Sequence, residues 1–410
     1  MLGEFGTNGE IGPNGEYGVL EPDDPLGPRH FVGVRKRGAS HQGLPLWTYT
    51  SKRFFDAEME RLFRPSWNLL EREELVPKPG DYHTLTFMNV PLILARDNAG
   101  KVRLYANTCP HRGALVATGK GNCKSFRCPY HSWVFSLEGK LMGAPAFDDA
   151  NDKPLIDETN KHEYSLFELP CDTWGGFVFM KFRKSPQTLA EHLGKLPERL
   201  ASHRLEDMVC AKRRVYEMQA NWKAFVENYS DALHIPNVHR DSLARWHGTR
   251  VEEGPTGEDS TATFVAHDKG SMLLLPFPGY DGFPAMEHIR EDRKRGTYFV
   301  TLRAGMMMTL GNDGALVFNS EPLTPTTSRL TVSSLFPKST AARDDFRQIA
   351  ENYYRRNDIV VQEDVDISIR QAAGLNSPYA RMPRLCKGEV RLNDIHNWIL
   401  DRVVPESKAA

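Results

Sequence analysis

Hydrophobic positions change period repeatedly along this 410-residue chain. In "SKRFFDAEMERLFRPSW", Phe55, Met59, Leu62 and Phe63 recur at helical spacing until Pro65 stops the pattern. From Gly80 to Tyr105 the period falls to two. "YHTLTFMNVPLILARDNAGKVRLYAN" alternates, with "DNAG" as a hairpin turn. "SWVFSLEGKLMG" predicts a second hairpin turning at Glu138-Gly139, and residues 172–182 a further strand. "SPQTLAEHLGKLPERL" then reads as a helical linker. Beyond it come a strand in "KRRVYEM" and a helix over 220–235. Strands follow near 261–267, 297–310, 314–320 and 328–337, then a long helical stretch over 341–373. Strands followed by flanking helices indicate an α+β layer. The expected division is an N-terminal segment, partly flexible, over 1–44, a small β-rich unit over 45–182, and a larger unit over 183–410.

Composition adds exclusions. The chain is 40% hydrophobic and 26% charged, with a net charge of −1, so no bulk field steers it toward nucleic acid or anionic lipid. The apolar runs, such as "MLLLPFPG", are too short to span a bilayer. "MLGEFGTNGEIGPNGEYG" lacks the basic flank and apolar core of a secretory signal, and a cytoplasmic location is expected. Six cysteines are too few for a disulfide framework, and Cys123, Cys171, Cys210 and Cys386 read as free thiols.

Cys109 and Cys128 differ, because each has a histidine within three residues: "CPHRG" and "CPYHSW" present Cys109-x-His111 and Cys128-x-x-His131 with sixteen residues between the pairs. Structural zinc accepts two cysteines and two histidines, but zinc knuckles open with paired thiols, whereas each loop here offers one thiol and one imidazole. A Rieske [2Fe–2S] centre needs that supply, two cysteines on one iron and two histidines on the other. Neutral imidazoles in place of thiolates remove negative charge, so the reduced state costs less and the potential rises. Tyr130 and Trp133 are candidates to shield the cluster edge, or plain core.

The two loops resemble those of the Rieske non-haem iron oxygenases, in their α (terminal oxygenase) subunits. Small Rieske ferredoxins share the motif. A downstream segment separates the two: "NWKAFVENYSDALHIPNVH" (221–239) is similar to the iron-binding signature of the same oxygenases. Asp231 and His234, three apart, are expected on one helical face, with Pro236 bending the chain to bring His239 back toward His234. Two such histidines suit a 2-His-1-carboxylate Fe(II) site. Glu363, Asp364 and Asp366 in "VVQEDVDISIRQAAG" are candidates for the carboxylate, and register with the family selects Asp364. The resemblance also implies that Asp231 links His234 to a cluster histidine of a neighbouring protomer, His131 or else His111. It implies that Asn228 supports the iron and that Glu227 stabilises the helix or relays protons. Trp222 reads as core.

The same resemblance implies a fold: a small all-β Rieske domain plus a catalytic domain with an antiparallel sheet flanked by helices, of helix-grip (START-like) type. It implies an O2-dependent oxygenase carrying a Rieske cluster and mononuclear Fe(II), assembled as a homotrimer. No Gly-rich dinucleotide fingerprint follows a strand, so NAD(P)H electrons are expected through a partner reductase, with or without a ferredoxin. Phe264, Met272, Phe277, Tyr280, Phe283, Met306, Met307, Met308 and Phe318 suit a small, flat, apolar or aromatic substrate, to be hydroxylated or demethylated. Residues 290–296 read as a solvated loop. A quaternary-amine monooxygenase of the same family is the alternative, since aromatics can cage a cation. A Rieske electron-transfer protein without working mononuclear iron is the other.

Overall fold

A computed structural model describes residues 21–36, 41–243, 248, 250–252, 254, 256–267, 270–377 and 379–404. The expected flexible leader lies largely outside the described residues. Two compact units emerge, Pro65–Leu189 and a discontinuous one of Met1–Arg64 with Ala190–Ala410. The helical pattern at 52–63, grouped by sequence with the β-rich unit, therefore belongs to the larger unit. Its apolar side finds its core with distant residues, which sequence proximity does not reveal. The helix α1 (Lys52–Glu58) is capped by Ser51, whose hydroxyl accepts the Phe54 amide, and continues as one π-turn to Phe63.

The smaller unit is built from short antiparallel strands: β1 (Asn68–Arg72), β2 (Asp81–Phe87), β3 (Val90–Arg96), β4 (Val102–Ala106), β5 (Lys120–Asn122), β6 (Phe126–Arg127), β7 (Val134–Phe135), β8 (Leu141–Gly143), β9 (Cys171–Trp174) and β10 (Phe177–Met180). They form sheets ordered β4-β3-β2-β5, β6-β7-β8 and β9-β10-β1. "DNAG" turns β3 into β4, with Gly100 at φ +82, and Gly139 at φ +79 turns β7 into β8. Residues 172–182, expected as one strand, are instead a hairpin. Gly175 and Gly176, both at positive φ, supply the two-residue turn. Tyr105, Phe126, Trp133 and Phe135 fill the core together with Cys109 and Cys128.

In the larger unit, seven antiparallel strands form one sheet: β11 (Met208–Met218), β12 (Arg250–Glu252), β13 (Ser260–Ala266), β14 (Gly296–Leu302), β15 (Met306–Leu310), β16 (Ala315–Thr324) and β17 (Thr327–Pro337), in the order β11-β17-β16-β15-β14-β13-β12. The pattern over 297–310 resolves into two strands joined through Arg303-Ala304. Among its helices are α2 (Trp222–Ser230), α3 (Ile235–Val238), α4 (Phe346–Leu375) and α5 (Val390–Val403). α2 lies on the sheet through Phe225 and Tyr229, whose rings pack on Phe318 at 5.8 and 5.4 Å. It is tied down by a buried ion pair, Lys223 Nζ to Glu58 Oε1 at 2.7 Å. α5 lies beyond the helical stretch expected over 341–373, and its Leu392, Ile395, Trp398, Ile399 and Val403 are spaced for one buried helical face.

Candidate metal centres

Each cysteine–histidine loop is closed by its own backbone. The Cys109 carbonyl accepts from the Gly113 amide at 2.8 Å, and the Cys128 carbonyl from the Ser132 amide at 3.0 Å. In both loops the donor, four residues on, has positive φ: +74 at Gly113 and +60 at Ser132. Asn107 braces the first loop, accepting the Val116 and Ala117 amides and donating to the Ala117 carbonyl. The loops thus reverse in the same way and face one another. Cys109 and Cys128 are buried neighbours, and the His111 and His131 ring centroids are 4.6 Å apart. Trp133 is buried and stacks on His111 at 4.9 Å with 5° between planes. Tyr130 is exposed and lies over His131 at 3.9 Å.

Burial, with Cys128 adjacent, raises the Cys109 thiol, and burial beside His131 lowers His111. His111 Nδ1 is buried without a partner. Two imidazoles, one with an orphaned nitrogen, beside two adjacent thiols fit a soft metal cluster, whose charge would draw off the thiol protons.

In the larger unit α2 ends at Ser230, short of the expected 235. Asp231 has left helical geometry, at φ −96 and ψ 126, and its Oδ1 accepts the Leu233 amide at 2.7 Å. This local carboxylate–amide bond competes with the helix. Asp231 and His234 therefore do not share a helical face. Pro236 does not break a helix either: it stands in the first turn of α3, where its missing N–H costs nothing. That single turn separates His234 from His239 and leaves their rings 5.1 Å apart.

Asp364, on α4, meets both. Its Oδ1 is 3.5 Å from His234 Nε2 and 3.0 Å from His239 Nε2. One donor atom from each of the three residues falls within 4.8 Å of the others. Asn228, on α2, donates to the same Oδ1 at 2.8 Å and orients the carboxylate. Glu363 does not join the cluster but lies behind it. His239 Nδ1 donates to Glu363 Oε2 at 2.8 Å, and Ser242 Oγ donates to the same oxygen at 2.7 Å. This carboxylate–imidazole pair fixes the His239 tautomer with Nε2 toward Asp364. Asp366 lies apart, accepting from Gln362. Asp231 Oδ2 is 3.7 Å from His234 Nδ1, near enough to attract but too long for a hydrogen bond, and that nitrogen is buried without a partner.

Burial opposes a charge on His234, but Asp231 and Asp364 outweigh it and lift the imidazole to about 9. Burial would raise Asp364, yet His234, His239 and Asn228 hold it near 2. The carboxylates thus create a field that a proton satisfies here and a cation would satisfy better, and the donor set fits a divalent iron with open positions. Glu227 points away from this centre, accepting from Tyr49 Oη at 2.7 Å and facing His396 Nε2 at 2.9 Å. Trp222 is core.

Of the expected substrate-lining residues, Phe277 and Tyr280 pack against a cluster of Val360 of α4 with Leu243 and Leu275. Phe264 and Met306–Met308 are sheet core. Phe283 stacks between Phe346 and Tyr353. In the 290–296 segment, Arg293 is not solvated but lies over the Phe264 ring at 4.4 Å and pairs with Glu252.

Residues 66–158 match the family model described as a Rieske [2Fe-2S] domain, and residues 205–404 that of the ring hydroxylating alpha subunit (catalytic domain). The chain is 32% identical over 203 residues to a chloroplastic choline monooxygenase of Amaranthus tricolor, covering 48% of this chain and 44% of that protein. It is 31% identical over 210 residues to a carnitine monooxygenase oxygenase subunit of Acinetobacter pittii, covering 49% and 55%. The matches thus span about half the length of these curated relatives. In fold it is similar to naphthalene 1,2-dioxygenase from Rhodococcus sp., with TM-score 0.78, 20% identity, and 95% of this chain and all of that one covered. No helix among the described residues is long and apolar enough to cross a membrane.

Proposed function

Because the chain belongs to the Rieske-type ring-hydroxylating α subunits, we propose that it is the terminal oxygenase of a multicomponent monooxygenase acting on a quaternary ammonium compound. The observation that carries the oxygenase reading is the convergence of His234, His239 and Asp364 within 4.8 Å. A chain that only carries electrons has no need of that cluster. The curated relatives named for choline and carnitine favour an N-methylated cation over an aromatic hydrocarbon.

Cys109, His111, Cys128 and His131 would hold the Rieske cluster, and His234, His239 and Asp364 the mononuclear iron. When bound, the cluster relays single electrons and the iron supplies the redox chemistry that activates dioxygen. The chain's own residues set the stage. Glu363 holds the Nδ1 proton of His239 and so keeps Nε2 free to ligate. Asn228 aims the Asp364 carboxylate. Asp231, half-buried beside His234, carries the link to the cluster of a neighbouring protomer, in a closed ring of subunits, most simply a homotrimer. Electrons come from NAD(P)H through a separate reductase, with or without a ferredoxin, in the cytoplasm.

The test is oxygen uptake with a surrogate reductase and NADH, scored together with product. Choline or carnitine is expected to stimulate uptake with stoichiometric hydroxylated or demethylated product. Stimulation by naphthalene and not by these amines would move the substrate to the ring-hydroxylating class. Iron-filled protein whose oxygen uptake no substrate alters would reduce it to an electron carrier.

A further inference from the structure

One buried cation beside the mononuclear centre has no use in the scheme above. Arg356 is 6% exposed. Its Nε is buried with no hydrogen-bond partner. The hydrogen bond its side chain makes among the described residues is a long one, Nη1 to Asn357 Oδ1 at 3.3 Å. Guanidinium carries five donors, and leaving them unmade in a dry interior is costly. Burial lowers its pKa to about 10, against the attraction of Asp364, Tyr229 and Glu363, so it is charged at neutral pH. Once Asp364 is committed to a metal, less of that attraction remains.

The placement is specific. Glu363 and Asp364 lie seven and eight residues further along α4. That is two turns, about 10–12 Å along the axis on neighbouring stripes of one face. Val360, packed with Phe277 and Tyr280, lies between. Opposite this face, direct cross-strand partners Ser334, Leu316, Thr309, Phe299 and Thr263 form one row across the sheet. Helix α2, which carries Asn228, and helix α4, which carries Asp364, both touch down on that row. Tyr229 of α2 meets Thr309 Oγ1 at 3.0 Å, and Asn357 of α4 donates to Ser334 Oγ at 3.2 Å. Arg356 is the residue next to the second touchdown. It is a buried positive charge, on the stripe of the helix that carries Glu363 and beside the stripe of Asp364.

We propose, resting on the oxygenase reading above, that Arg356 receives a carboxylate of the substrate, so that the substrate is a small organic acid or zwitterion. The carboxylate pairs with the guanidinium, and the rest of the molecule runs along α4, past Val360, toward His234, His239 and Asp364. Paired N–H donors suit a carboxylate's two oxygens, and the pairing fixes which end of the molecule faces the metal.

The test is anaerobic calorimetric titration of the iron-loaded enzyme, its Arg356→Gln variant and its Arg356→Lys variant. Two matched pairs of probes are used, glycine betaine against choline and benzoate against benzamide. The wild type is expected to bind the carboxylate member of at least one pair more tightly than its partner by about tenfold or more. Arg356→Gln should abolish that preference without weakening the partner, and Arg356→Lys should restore part of it. Arg356→Gln should melt no lower than the wild type, since it removes a buried charge whose Nε has no hydrogen-bond partner and whose bond to Asn357 is long. If that variant fails to fold, the Arg356→Lys comparison decides. A preference that survives replacement, or no carboxylate preference in either pair, overturns the proposal. Iron content and substrate-coupled oxygen uptake of the wild type are read in parallel. If both are intact while the preference is absent, the oxygenase reading stands and this one fails. If both are lost, the failure is of the oxygenase reading.

Discussion

His239 is gripped at both ring nitrogens, Nε2 by Asp364 and Nδ1 by Glu363, so two adjacent acids on α4 have different jobs. Asp364→Ala is expected to strip the mononuclear iron while leaving the brown cluster intact, read by iron analysis and visible absorption. Glu363→Ala should lower iron affinity about 10–100-fold without abolishing the site. If Glu363→Ala empties the centre and Asp364→Ala does not, the ligand assignment moves by one residue. Asp231→Ala should retain both metals and lose nearly all turnover, and normal steady-state turnover would remove its role as a link. The pairing of Cys109 and His111 with Cys128 and His131, proposed to hold the cluster, is legible in the sequence because its spacing is local and each loop carries its own turn. Asp364 was chosen from three acids only by resemblance. Consecutive helical residues point about 100° apart, and nothing in "QEDVD" says which of them meets His234. Arg356 left no trace in the sequence, since one arginine inside a helix carries no motif.

At the scale of elements, hydrophobic period located the strands and α4 well, and failed where short-range chemistry overrode it. α2 stops early because Asp231 binds the Leu233 amide, and the strand at 172–182 folds in two at Gly175-Gly176. What anchors α2 was not legible either, because Glu58 and Lys223 are 165 residues apart. Besides Glu58, the Lys223 ammonium reaches the Thr48 carbonyl at 3.0 Å. Burial raises the Glu58 carboxyl even with Lys223 beside it. Lys223→Met should therefore cost about 3–5 kcal/mol, because it leaves an uncompensated buried acid. The raised acid favours folding when protonated, so the variant's deficit should shrink as pH falls from 7 toward 5. Glu58→Gln added to Lys223→Met should recover part of the loss, measured by denaturant titration.

Across the whole molecule, metal content and pH dependence report on both units. The intact chain should contain about three irons, two acid-labile with sulfide and one removable by chelator. Colourless zinc-loaded protein would contradict the assignment. In the larger unit Asp313 is fully buried, accepting from Ser271 Oγ at 2.6 Å and Tyr353 Oη at 2.5 Å. Burial raises it to about 6 despite those two donors. A carboxyl raised on folding stabilises fully below its unfolded value near 3.9 and loses that contribution as pH climbs through about 6. Between pH 4 and pH 7 the wild type should lose about 2 kcal/mol relative to Asp313→Asn, whose amide does not titrate. A parallel pH dependence in the two proteins would assign the effect elsewhere.

The smaller unit is one unbroken stretch, whereas the larger takes its pieces from both sides of it. On the ribosome this difference becomes an order of events. All four residues proposed to hold the Rieske cluster, and the sheets that shape their loops, have been made once Leu189 emerges. Asp364 follows 175 residues later, roughly 10–35 s at ordinary elongation rates. On the proposed assignment, the cluster-binding residues are available to iron–sulfur assembly while the chain still lacks the carboxylate proposed for its third iron. On that assignment, a product truncated before Asp364 is expected to carry the colour of the cluster without a complete mononuclear centre.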